Sequence, residues 1–263
     1  MHLRMYQVDA FATKVFSGNP AAVVPLRQWL DDAQMQSIAA ENNLSETAFF
    51  APKDDHYQLR WFTPAQEVLL CGHATLASAF IVFTVLEPSK ASVTFDTRSG
   101  MVEVKRKHGD FLTMAFPKHI PKPCNAPGQL LDGLSREPRE VFTTDEATNF
   151  YVVYDTEHDV RSLRPNLPLL EQLHPYGVAV TAIGDEVDFV SRYFAPSYGV
   201  PEDPVTGSIH CALVPYWSKH LGKSQLHARQ VSKRGDELLC EDLPDRVLIS
   251  GQAVRYLEGD IYI

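Results

Sequence analysis

The feature that most constrains this chain is an internal echo. "RWFTP" (Arg60 to Pro64) precedes a glycine turn, "CGHAT", and "RYFAP" (Arg192 to Pro196) precedes a second, "VTGSI". Both pentapeptides have the aromatic, β-favouring composition of a strand end stopped by proline. Each turn opens an apolar run. Downstream, "TRSGMVEVKRKHGDFLTMAF" and "SKRGDELLCEDLPDRVLISG" both alternate like hairpins entered through Arg and Gly. Upstream, Asp31 to Asn43 reads as an amphipathic helix and "SETAFFAP" as the strand after it, while "LPLLEQLHPYGVAVTAIG" supplies a helix and a strand to the second half. A plan written twice at so long a period predicts two similar domains rather than a solenoid.

The helix predicted after the first turn, "ATLASAFIVFTVL", is apolar nearly all round. Such a helix is either membrane-spanning or fully buried. It is too short to cross a bilayer and carries Thr and Ser, so it should be wrapped by sheet. A helix enclosed by mostly antiparallel strands, twice, predicts an α+β architecture with a cleft between the halves. The proline-dense stretch at 118–138 is the expected linker between domains at 1–117 and 139–263. Clefts between domains are common ligand sites.

Composition narrows the partners. The chain has 263 residues and a formal net charge of -9, which argues against nucleic acid or an anionic membrane as the main partner. Cys71, Cys124, Cys211 and Cys240 are widely spaced, with no CxxC pair or Cys/His finger spacing, so no metal site is expected from sequence. The N-terminal residues have no apolar signal core, and the expectation is a reduced, cytoplasmic compartment. The basic run Lys105 to Lys107 reads as a solvated hairpin, and His210, Cys211, Tyr216 and Trp217 read as packing for the second helix.

A helix N-terminus offers unpaired N–H groups and a positive partial charge, suited to a carboxylate or a developing oxyanion. Gly72 and Gly207 would let a ligand approach those amides. Ser208 and Thr206 add hydroxyls on one side, and His73 adds an imidazole on the other. A thiol at such a position, Cys71, could serve as a base, but the equivalent place in the second half is Thr206, so a two-thiol racemase would lack one member. Cys71 then reads as a buried small hydrophobe. The alternative base is Glu46, set before Ala48, Phe49 and Phe50 in "LSETAFF", where desolvation would favour proton transfer; a capping or strand-end surface role is its plainer reading. The second half has no acid at the equivalent strand, but Asp203 in "PEDPVTG" lies beside the second turn. It reads as either a turn former or a site residue.

"FSGNPAAVV", "LSETAFF", "EVLLCGHATLASA", "APSYGVPEDPVTGSIHCALVPYW" and "ISGQAVRY" together resemble the PhzF-like (phenazine biosynthesis-like) proteins of the diaminopimelate epimerase fold superfamily. That resemblance implies two pseudo-symmetric domains, each a β-barrel-like roll around a central helix, and a homodimer. It implies cofactor-independent isomerase chemistry on a small carboxylate substrate in the cleft, with no metal. By motif match Glu46 is the proton-moving residue, supported by His73, Asp203 and Ser208, with Asn19 of "GNP" as a substrate contact. Two rivals stand beside it: a thiol-dependent amino-acid epimerase using Cys71, and a catalytically silent binding or scaffold protein on the same fold.

Overall fold

The computed structural model describes residues 1–146 and 148–263. The chain divides into two compact units, one of Met1–Ala115 with Ser250–Ile263 and one of Phe116–Ile249.

The first unit contains β1 (His2–Ala10), β2 (Asn19–Pro25), α1 (Asp32–Asn42), β3 (Glu46–Lys53), β4 (His56–Phe62), β5 (Glu67–Val68), α2 (Gly72–Ile81), β6 (Ser92–Thr97), β7 (Gly100–Arg106) and most of β8 (Leu112–Pro117). The second contains β9 (Lys122–Pro123), α3 (Gly128–Leu134), β10 (Glu140–Thr143), β11 (Asn149–Val153), α4 (Glu157–Ser162), α5 (Leu167–Glu171), β12 (Gly177–Ile183), β13 (Phe189–Ala195), β14 (Val200–Asp203), α6 (His210–Leu221), β15 (Gln225–Gln230), β16 (Asp236–Asp242) and most of β17 (Arg246–Gly251). The last strand, β18 (Ala253–Tyr262), returns to the first unit.

The echo in sequence is an echo in pairing. In the first unit β1–β2 is antiparallel, β2–β3 parallel, β3–β4 antiparallel, β4–β6 parallel and β6–β7 antiparallel, with β5 laid antiparallel on β4. In the second, β10–β11, β11–β12, β12–β13, β13–β15 and β15–β16 repeat that series in the same senses, with β14 laid on β13. The fold is thus α+β, sheet-dominated, with a central helix in each unit. Helix α2 buries nearly every side chain, including Leu76, Ala77, Ser78 and Ile81, as an all-round apolar helix must. Helix α6 buries His210 through Trp217, so the four residues read as packing are packing.

Local chemistry explains the element ends. Asp31 caps α1, its carboxylate accepting from the Gln34 N–H at 2.7 Å, and Asn43 closes the helix in the left-handed region. Met35, Ile38 and Ala39, spaced for one helical face, are the buried side. No helix among the described residues is long and apolar enough to cross a membrane.

The units differ from the expected boundaries in two places. The proline-rich 118–138 stretch is not a free linker: it carries β9, which pairs with β10, and helix α3, whose Leu130 and Leu134 enter the second core. Residues 250–263 leave the second half because β18 pairs with β1 over almost its whole length, His2 opposite Tyr262 through Ala10 opposite Ala253. β18 stands to β1 as β9 stands to β10. Each repeat therefore donates its last strand to the other repeat's first.

Candidate functional site

In the first unit the sheet and α2 bring four polar side chains together. Gly18, with φ +65°, precedes β2, and a Cβ there would meet the Ala10 carbonyl at 2.3 Å, so only glycine lets the chain enter the strand at this point. Asn19 follows it, fully buried. β2 runs parallel to β3 with Ala21 opposite Glu46, so Asn19 and the first residue of β3 lie at the same end of the sheet. Helix α2 starts there too, with His73 in its first turn.

Glu46 is not an isolated carboxylate. Its Oε2 lies 3.0 Å from His73 Nε2, and the imidazole side chain is 7% exposed against 18% for the carboxylate. The approach is close but lacks the alignment of a directed hydrogen bond, leaving Oε2 without such a partner among the described residues. On the other side of the ring, Asn19 Nδ2 is 3.2 Å from Nδ1, and Cys71 Sγ is 3.5 Å from the same nitrogen. The Ser45 hydroxyl donates to Asn19 Oδ1 at 3.2 Å.

This frame serves two protonation states. With the Asn19 amide donating to Nδ1, the neutral ring keeps its proton on Nε2, facing Glu46. In the imidazolium, Nδ1–H needs an acceptor. Cys71 Sγ supplies one, as does Asn19 Oδ1 after a half-turn of the amide, and the Ser45 hydroxyl suits either amide orientation because it both donates and accepts. Burial alone would lower the His73 pKa, but its neighbours Cys71 and Glu46 outweigh burial and hold it well above the ordinary value. Burial, reinforced by the Glu46 carboxylate, pushes the Cys71 thiol up to about 11. A thiol that holds its proton leaves the carboxylate as the neighbour that sets the imidazole's charge at neutral pH.

In the second unit the turn is built differently. Thr206 donates its hydroxyl to the Asp203 carboxylate, and its N–H donates to Gln230 Oε1 at 2.8 Å. Gln230 Nε2 returns a bond to the Asp203 carbonyl at 2.8 Å. Gly207 is buried and Ser208 is exposed. Asp203 and Ser208 thus flank one turn. His210, fully buried, directs Nδ1 at the Thr206 carbonyl, 2.8 Å away, and burial pushes its pKa down to about 4.

Sequence reasoning missed Ser45 and Gln230, which hold Asn19 and the Asp203–Thr206 turn. Ser45 stood beside Glu46 in the quoted motif; Gln230 lies far from its turn in sequence and gave no local signal. It also missed a matched pair of clamps. Arg60 grips Glu67 through Nε and Nη2, both at 2.7 Å, and Arg192 grips Glu202 through the same atoms at 2.7 and 3.0 Å. Both arginines open the repeated "RWFTP" and "RYFAP" segments, which is the signal that was available.

A family model described as phenazine biosynthesis-like protein matches residues 8–259. A protein of Pseudomonas aeruginosa named an uncharacterized isomerase is 49% identical over 263 residues, covering 100% of both chains. Another of that name from Halalkalibacterium halodurans is 45% identical, with 98% of each chain covered. The crystal structure of a PhzF-family phenazine biosynthesis protein from Enterococcus faecalis superposes with a TM-score of 0.96 at 42% identity, covering 100% of both chains. With its doubled α+β fold and the motifs that carry Glu46 and His73, the chain belongs to the phenazine biosynthesis-like family, among relatives named as isomerases.

Proposed function

We propose that this protein is a cofactor-independent isomerase that moves a proton within a small unsaturated or cyclic carboxylic acid, with Glu46 as the acid/base. The observation that carries this is the 3.0 Å contact between Glu46 Oε2 and His73 Nε2 at the start of α2. The neighbouring imidazole keeps the carboxylate aimed, so that it can accept a proton from a carbon made acidic by a neighbouring carboxyl or conjugated double bond. The protonated Glu46, partly open to solvent and able to exchange its proton there, then returns a proton to a second carbon of the delocalised anion, and the electron pairs shift within the substrate with no net redox change. The positive end of α2 favours a carboxylate or enolate nearby. Asp203 is proposed to assist proton movement, and Ser208, with the backbone at Gly72 and Gly207, to bind substrate. Asn19, whose amide holds the His73 ring, is better suited to positioning that ring than to touching substrate.

Thiol-based epimerisation has no observation in its favour, since Cys71 is buried with its pKa pushed up to about 11 and the equivalent residue is Thr206. The test is Glu46→Gln. Turnover should fall by about 100-fold or more while a carboxylate ligand still binds. Retained turnover would remove Glu46 from the mechanism.

A further inference from the structure

Strand β1 has a neighbour on both sides along only part of its length. On one side β18 follows it from His2 to Ala10. On the other, β2 pairs with it only from Tyr6, opposite Val23, to Ala10, opposite Asn19. Main-chain groups point to alternate sides of a strand. The Ile263 N–H donates to the Met1 carbonyl at 2.9 Å, so Leu3 and Met5, in register with Ile261 and Gly259, also bond towards β18. His2, Arg4 and Tyr6 therefore turn their N–H and C=O groups the other way. Pro20 fits this phase, since it lies opposite Asp9, where the strand asks for no N–H. Continuing the β1–β2 register would set Pro25 opposite Arg4, at the next bonded position, and proline has no N–H to give. The chain leaves β1 at this point. Its departure opens a groove of about 800 Å³ between the His2–Arg4 edge and the 25–31 segment.

We propose that this edge binds an extended, acidic peptide segment of another protein, added to the sheet as one more strand. Such binding is independent of the isomerase reading. In the antiparallel sense, His2 and Arg4 would each exchange a pair of main-chain bonds with the incoming strand. Side chains of that strand alternate between its faces. Leu3, Trp29 and Leu30 line the groove and pack against the core of the first unit, which asks for apolar residues at alternate positions. Charge selects the residues between them. Of the charges lining the groove, Arg4 is paired with Glu258 and Asp260, and Asp31 caps α1. Arg27 is exposed and has no acidic partner among the described residues. An uncompensated cation beside a free strand edge favours carboxylates on the strand that docks there.

The test is fluorescence anisotropy of a labelled, end-capped Val-Glu-Val-Glu-Val peptide titrated with the full chain. Binding is expected with a Kd below about 1 mM. The same peptide with lysine in place of glutamate should bind about tenfold more weakly or worse. Arg4→Pro removes the N–H that faces the groove and no bond to β18, and should weaken binding about tenfold. Arg4→Gln keeps that N–H and should change binding by less than about threefold. Because a proline can also disturb its strand, amide hydrogen exchange of the unaltered chain supplies a second reading: the peptide should slow exchange at Arg4. Glu46→Gln should bind the peptide as wild type does. No binding, equal binding of the lysine peptide, unslowed exchange at Arg4, or loss of binding in Glu46→Gln would each overturn the proposal. A dimer in sedimentation that Arg4→Pro dissolves would overturn it too, by placing a second copy of this chain on the edge.

Discussion

The two repeats use the same scaffold to hold different turns. In each, an arginine on a strand grips a glutamate four residues before the position occupied by Cys71 in one repeat and Thr206 in the other. In each, the side chain four residues on satisfies the carbonyl of that residue: Thr75 Oγ1 bonds the Cys71 carbonyl at 2.6 Å, and His210 Nδ1 the Thr206 carbonyl at 2.8 Å. The difference lies on the neighbouring strand. Matched strand pairing sets Gly177 of β12 where β3 has Glu46. A Cβ on Gly177 would stand 2.2 Å from the Tyr193 hydroxyl and 2.6 Å from Asn149 Oδ1, two groups bonded to each other at 2.8 Å. One repeat opens a place for a carboxylate beside its turn; the other fills that place with a tyrosine–asparagine bond. Both repeats keep the clamp, and the carboxylate sits on one copy only.

The comparison can be broken most strongly at the clamps. Arg192→Met should cost about 3 kcal/mol of stability, because it strands Glu202 and also releases the Val160 and Leu163 carbonyls, each held at 3.1 Å. Arg60→Met should cost less, about 2 kcal/mol, since its further partner, Asp32, is exposed. Denaturant unfolding of both variants checks the order, and equal losses would show that the added carbonyl contacts carry no weight.

At the strand position that separates the repeats, Gly177→Ala should destabilise by about 2 kcal/mol, since even one methyl must displace the Tyr193–Asn149 pair. A neutral effect in thermal unfolding would mean that the second repeat could accept a side chain there after all.

The caps sharpen the comparison through pH. His210 is buried and its pKa is pushed down to about 4, so the unfolded chain, with an ordinary histidine, takes up a proton more readily than the folded one. Its contribution is full above about pH 6.5 and is lost as pH falls towards 4, at up to about 1.4 kcal/mol per pH unit. Thr75, its counterpart, does not titrate. Stability curves of wild type and His210→Gln should therefore converge with falling pH across that window, and parallel curves would contradict the assignment. The smallest effect is expected at Cys71→Ala, with turnover within about threefold of wild type, because a thiol pushed up to about 11 is no base at neutral pH. A dead variant would restore the thiol mechanism.

Much of this was legible in the sequence because the repeat carries local signals. The strand ends, the glycine turns, the apolar α2 and the capped α1 all follow from short-range pattern, and so does the absence of an acid opposite Glu46. The carboxylate–imidazole contact was not legible, since it joins a strand to a helix across the sheet end, and Glu46 read as isolated among apolar neighbours. The exchange of β9 and β18 between repeats was hidden for the same reason: strand pairing at long sequence separation leaves no mark in either strand. Asn19 was visible as a motif residue, but only packing reveals that its amide faces His73.

The most direct test is solvent exchange. Wild type and Glu46→Gln are incubated in deuterated water with a panel of small cyclic and unsaturated carboxylic acids, together with diaminopimelate and proline, and deuterium uptake is followed by NMR. Uptake into a carboxylic acid by wild type, lost in Glu46→Gln and kept in Cys71→Ala, is the predicted result. Uptake that survives Glu46→Gln, or that disappears with Cys71, would contradict the assignment of proton transfer to the carboxylate.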